Sequence, residues 1–320
     1  MLSRREALAV GGTLLASSLP GSRALAEATS PIADGRIRLV DGRWLAYRQY
    51  GPTSGPPVFY FHGTPGSRLE LAQCDSERCC SGRRVIAIDR PGMGGSSYQY
   101  GRRILDWPRD VEQLAASLGY TDRPFGVIGL SGGAPYAAAC AAKIPHRLTH
   151  VALVSGHAPL GACGTCPGNK DRLVKLISRR PQLGKIGVNL ISRKLIRSPD
   201  RVIAKMAESW SAADRQLIYC NPKLYHDLIA SLHESTRCGP AGLVTDIRLL
   251  ASDWGFRPCE IQGVPVSIWQ GGDDRIVTPS MAHYFHQQIA GSELNIDPQA
   301  GHITMFKKHA TNILSRFVST

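Results

Sequence analysis

Several common signatures are missing from this chain, and each absence closes off a class of function. No G-x-x-x-x-G-K-[ST] pattern occurs, and the glycine-rich segment Gly126–Gly133 does not meet G-x-G-x-x-G, so neither nucleotide cradle is written here. Cys163-Gly-Thr-Cys166 has no second C-x-x-C and no H-x₃-H to complete four ligands, so a zinc site is not expected. Hydrophobic runs are short, and none reaches the ~20 residues needed to cross a bilayer. There is no internal repeat and no low-complexity tract. Glycine, at 33 of 320 residues, is far from the one-third of a collagen. Nine cysteines are too scattered for a disulfide-dense miniature scaffold, and their odd number leaves at least one unpaired. Acidic residues are the scarcer charge: Lys+Arg 38 against Asp+Glu 25 gives +13, a balance that favours anionic partners.

What is present is 43% hydrophobic and 20% charged, the composition of a globular chain long enough for one large domain. Residues 1–26 read as an export signal. Arg4 and Arg5 precede a weakly apolar stretch, and Ala24-Leu25-Ala26 offers a cleavage site. Ser3-Arg4-Arg5-Glu6-Ala7-Leu8 resembles the twin-arginine motif, which implies a bacterial periplasmic or secreted protein. Residues 27–35 read as a linker. From Arg36 to Tyr50 two half-apolar runs flank Asp41-Gly42, a hairpin signal.

Four fully apolar runs follow, Val58–Phe61, Val85–Ile88, Gly126–Leu130 and Val151–Val154, with helical patterns at Asp110–Leu118 and Pro135–Lys143 between them. Such runs suit parallel strands buried on both faces, so the pattern predicts an α/β fold. The texture changes near His157. Residues 157–260 show no strand series and read as a helical insertion between two core segments, 36–156 and 261–320. Lys170 to Lys205 carries eleven Lys/Arg and two Asp among apolar residues at helical spacing. The ordinary reading of that stretch is a solvated outer face. Its functional reading is a surface that draws in anionic substrates or rests on anionic lipid; nucleic acid is not expected, since aromatic residues are almost absent there. Strand patterning resumes at Val264–Trp269 and Glu293–Ile296, and a helix is expected from about Thr304.

The sharpest chemical signal is Gly129-Leu-Ser131-Gly-Gly133 at a strand-to-helix turn. A serine on so tight a turn needs very small residues two positions either side, here Gly129 and Gly133, and points its hydroxyl outward as a nucleophile. Phe61-His62-Gly63-Thr64-Pro65-Gly66 ends an earlier strand, where a donor-rich loop can hold an oxyanion. Thr64 is its candidate donor because Pro65 has no N–H, and Gly132, just after the serine, supplies the other. A base is required. His302 and His157 both fall where strands end. His150 opens a strand and belongs at the opposite edge, and His62 suits a structural role. An acid comes from Gly271-Gly-Asp273-Asp274; the loop after Val154 has no carboxylate to offer.

With these residues in place the chain resembles the capped α/β-hydrolases over everything after residue 35. The resemblance rests on His62–Gly66, Asp89-Arg-Pro-Gly-Met-Gly-Gly-Ser96, Gly129–Gly133, Gly271–Asp274 and Gly301-His302. It implies a mostly parallel eight-stranded sheet with helices on both faces and residues 157–260 as lid. It also implies Ser131, Asp274 and His302 as the catalytic set, since in relatives with Gly-x-x-Asp-x-x-Val the acid stands three before the valine. No metal or organic cofactor is implied. The expected reaction is hydrolysis of a small acyl substrate, first a carboxylic ester. C–C bond, lactone, thioester and aminopeptide hydrolysis use the same residues, and a catalytically silent binding protein is the non-enzymatic alternative. Asp89-Arg90 is expected to form a turn, and Cys163/Cys166 a lid-hinge loop.

Overall fold

A computed structural model describes residues 33–73, 80, 82–162 and 171–317. The expected export signal, most of the expected linker and Cys163/Cys166 lie outside the described residues. Eight strands, β1 (Ala33–Arg38), β2 (Trp44–Tyr50), β3 (Pro57–Phe61), β4 (Arg84–Ile88), β5 (Phe125–Leu130), β6 (Leu148–Val154), β7 (Val266–Gly271) and β8 (Glu293–Asp297), form one sheet in the order β1-β2-β4-β3-β5-β6-β7-β8. The β1–β2 and β2–β4 pairs are antiparallel and the rest are parallel.

The hairpin closes on Asp41-Gly42 with Gly42 at φ +85°, and Leu39 N–H meets Arg43 O at 2.8 Å. Its first strand begins at Ala33, three residues before the expected Arg36, because the Asp34 carboxylate is held by Arg48 and Arg68. His150 is the third residue of β6 and does not open it; its Nε2 bonds Ser267 Oγ at 2.8 Å on the neighbouring strand.

The central strands are apolar at every position because both faces are covered. Phe59 and Phe61 of β3 pack with α1 (Trp107–Ser117), α2 (Ala134–Lys143) and α9 (Pro279–Gln288). Val58 and Tyr60 face the other way, toward Met305, Phe306 and Ile313 of α10 (His302–Ser315). Alternate side chains of one strand thus serve two cores, which is why no polar face interrupts the run.

Between β6 and β7 the described chain is helical: α3 (Asp171–Arg179), α4 (Pro181–Arg197), α5 (Pro199–Ala207), α6 (Ala212–Tyr219), α7 (Pro222–Ser235) and α8 (Ala241–Leu250). These helices have a small core of their own, with Leu195, Ile203, Trp210 and Leu228 packed together. Ile276, from the loop after β7, and Ile303, from the first turn of α10, pack on it and join it to the sheet's C-terminal edge.

Candidate active site

Ser131 stands at the junction of β5 and α2 in a single tight turn, Ser131–Gly133. Its φ is +53°, a left-handed conformation that costs a non-glycine residue energy and is kept only where the surroundings enforce it. The surroundings are close. A Cβ on Gly129 would lie 2.6 Å from Gly133 O, and one on Gly133 would lie 2.1 Å from Phe61 O, so the turn cannot form with larger residues. The serine therefore sits at the N-terminal end of α2, where unpaired amides and the positive end of the helix dipole face outward.

The loop after β3 runs alongside. Thr64 N lies 3.2 Å from where a Cβ on Gly132 would be, so the two expected oxyanion donors are neighbours. The loop is held from beneath. His62 is fully buried; Arg90 N–H donates to its Nε2 at 3.3 Å, which leaves Nδ1–H to bond Gly63 O at 2.8 Å. Burial first, and the Arg90 guanidinium second, hold its pKa well below the ordinary imidazole value, so it is neutral.

Beyond β7, Asp274 is buried and fully engaged. Its Oδ1 accepts the N–H groups of Ile276 and Val277, both at 2.9 Å, and its Oδ2 accepts Gln270 Nε2 at 3.1 Å. The same Oδ2 lies 2.7 Å from His302 Nδ1, so that nitrogen carries a proton and donates it to the carboxylate. Asp273 faces outward to Arg275 at 3.1 Å. Ser131, His302 and Thr64 all line one cavity of about 120 Å³, whose other walls include Met206, Trp210, Leu224 and Leu228 from the inserted helices. His157 is absent from that lining; its backbone N–H donates to Ser131 O at 3.2 Å.

His302 is not on a loop, as its position after the last strand suggests. It is the first residue of α10, and the helix starts there because Asp214 of α6 caps it. The Asp214 carboxylate accepts the N–H groups of His302, Ile303 and Thr304 at 2.8, 3.0 and 2.8 Å. Gly301 gives room for this approach, since a Cβ there would lie 2.0 Å from Ser211 Oγ.

A second long-range carboxylate was equally hidden. Asp246 of α8 is fully buried and accepts Arg90 Nη2 and Arg102 Nη2, both at 2.6 Å, Tyr136 O–H at 2.7 Å and Thr64 O–H at 2.8 Å. Burial opposes its charge, but the two guanidinium groups outweigh it and keep the carboxyl far below its usual range. Arg90 also donates to the carbonyls of His62 and Gly63. Asp89 does hold the expected turn, through Arg68 and Gly95 N–H at 2.7 and 2.8 Å, but Arg90 belongs to this buried cluster instead. Glu70 was missed as well. It lines the cavity, accepts Gly63 N–H at 2.9 Å and Tyr60 O–H at 2.8 Å, and its pKa is raised by burial against the pull of those donors.

A model of the alpha/beta hydrolase family matches residues 58–312. Among solved structures, a hydrolase from Pseudomonas aeruginosa superposes with a TM-score of 0.65 at 20% identity, covering 90% of this chain and 98% of that one. The enol-lactonase from Burkholderia xenovorans gives 0.64 at 19%, with 88% and 100% covered. An esterase from Exiguobacterium antarcticum gives 0.63 at 19%, with 88% and 98% covered. A comparison with curated proteins finds no match.

Proposed function

The chain belongs to the alpha/beta hydrolase family, and from that premise we propose that it is a serine hydrolase of small carboxylic esters. The observation that carries this reading is the 2.7 Å contact of Asp274 Oδ2 with His302 Nδ1, on the same cavity that the strained Ser131 lines. In the proposed reaction His302 Nε2 takes the Ser131 hydroxyl proton as Oγ attacks the ester carbonyl. Asp274 fixes the tautomer and stabilises the imidazolium. The N–H groups of Thr64 and Gly132 receive the developing alkoxide, each worth roughly 3–4 kcal/mol of barrier. His302 then protonates the leaving alcohol, and water, activated by the same imidazole, releases the acid. The cavity walls are mainly apolar, with Glu70 and Lys307 the charged side chains among them. That lining suits a neutral ester with apolar substituents, because a multiply charged group would lose its hydration there.

The test is covalent labelling by a fluorophosphonate, followed by turnover of a panel of short esters that includes a lactone, a diketone and a prolyl amide. Labelling abolished in Ser131→Ala, with ester turnover leading the panel, is the expected result. Well-folded protein that takes no label would sink the serine mechanism. Labelling without ester turnover would leave the mechanism and move the substrate to another member of the panel.

A further inference from the structure

The inserted helices carry apolar side chains on two faces, and the inner core uses only one of them. Half of the exposed large apolar residues among those described fall in one stretch: Leu176, Leu183, Ile186, Leu190, Ile191 and Ile196, each more than 50% exposed. On α4 the inward side is Gly184, Val188 and Leu195, the buried residues of that helix. At 100° per residue the opposite side reads Leu183, Ile186 and Leu190, then Arg193, Lys194 and Arg197. An ordinary solvent face would be polar along its whole length.

Along the chain through this patch the charges have one sign. Between Arg172 and Ser198 the sequence holds eight Lys/Arg and no acidic residue. Lys175, Arg179, Arg180, Arg193, Lys194 and Arg197 are exposed, and none of them has an ion-pair partner among the described residues. Some other exposed cations do find carboxylates, as in Lys205–Glu208 and Lys223–Asp227. An apolar centre with an unpaired cationic surround matches a surface that is anionic outside and apolar just beneath.

We propose that the outer face of α4, with the adjoining end of α3, docks on an anionic lipid bilayer. Leu183, Ile186 and Leu190 enter the headgroup–acyl boundary while Arg193, Lys194 and Arg197 meet lipid phosphates. A second copy of the chain is a poorer occupant, because a two-fold contact through this patch would set its cations against each other. Nucleic acid would use the cations and leave the leucines and isoleucines unexplained. Leu195, on the inner side of the same helix, packs with Leu224 and Leu228, which line the cavity, so the docked face and the substrate pocket share one helical layer. The proposal does not depend on the ester reading.

The experiment is co-sedimentation of the full chain with vesicles of phosphatidylcholine alone and of phosphatidylcholine with 30% phosphatidylglycerol, over a salt series. Binding is expected to the anionic vesicles and to fall as salt rises. Arg193→Gln, Lys194→Gln and Arg197→Gln should each lower partitioning about fivefold. Ile186→Glu with Leu190→Glu should abolish it while leaving the melting temperature and turnover of a soluble ester unchanged. Equal binding to both vesicle types, no binding to either, or a protein dimer that Ile186→Glu dissolves would each overturn the proposal.

Discussion

Replacing Asp214 by alanine strips three backbone amides and one hydroxyl of their acceptor at a single site. The bonds lost are those to His302, Ile303 and Thr304 N–H and to Thr304 O–H, at 2.8 to 3.0 Å, and Asp214 itself is fully buried. A hydrogen bond to a charged group contributes about 1.5–3 kcal/mol, and an ordinary N-cap about 1–2. The four bonds share one carboxylate and do not add, so we expect Asp214→Ala to cost about 3–4 kcal/mol. At roughly 2–4 °C per kcal/mol for a large domain, the melting temperature should fall by about 6–16 °C. Asp214→Asn keeps one acceptor oxygen with two lone pairs and should lose about half as much. Because His302 is the first residue of the capped helix, loosening that turn moves its imidazole, and a displacement of ~1 Å can cost ~100-fold in rate. Scanning calorimetry gives the first quantity. Steady-state kinetics with a short ester, well below the variant's melting point, gives the second. The kinetic loss should fall in kcat with KM little changed, since the apolar walls are untouched, and asparagine should recover part of it. An alanine variant that melts within about 1 °C of the parent at full kcat would refute the capping argument.

Two further outcomes follow from buried charges. Asp246→Ala leaves Arg90 and Arg102 facing each other without a counter-charge, and losing one partner of a buried ion pair costs about 3–5 kcal/mol; urea unfolding should show an unfolding free energy lower by that amount with an earlier midpoint, and an unchanged midpoint would contradict it. His150, whose pKa is lowered to about 4 by burial and then by Arg316, stays neutral in the fold while its unfolded form protonates near 6.5. Its contribution is complete above pH 6.5 and is lost as pH falls toward 4, by up to about 3 kcal/mol. The melting temperature of His150→Gln should therefore fall less between pH 7 and 4.5 than that of the parent, and parallel curves would refute this.

Local patterns made much of this legible. Asp41-Gly42 marked the hairpin because few other dipeptides accept its φ values, and the central strands stood out because burial on both faces leaves no polar register. The position of Ser131 was readable because the turn tolerates only glycine at positions 129 and 133. Asp214, Asp246 and Glu70 were not readable. Ser211-Ala-Ala-Asp214 looks like the start of an ordinary helix, and Ser211 does cap Asp214 N–H at 3.0 Å. Nothing nearby shows that the carboxylate reaches a helix 88 residues away. Asp246 likewise sits in an amphipathic pattern, and its partners near Thr64 are 182 residues distant. The start of α10 was misjudged for the same reason, since its cap lies on another segment.

The inserted helices therefore hold both the loop that carries Thr64 and the helix that carries His302. This ties the completeness of the site to the docking of the insertion. The Ser131 turn draws on its neighbours in the sheet, since Gly129 packs against Gly133 and Ala134 and Gly133 against Phe61. Asp246 and Asp214 reach Thr64 and His302 only when the insertion is docked, across 182 and 88 residues of sequence. A chain caught with its sheet complete and its insertion undocked would have its serine in place while the base and the oxyanion loop lacked their anchors. Such a chain would be inert, which would make activity a reporter of the docking of the insertion.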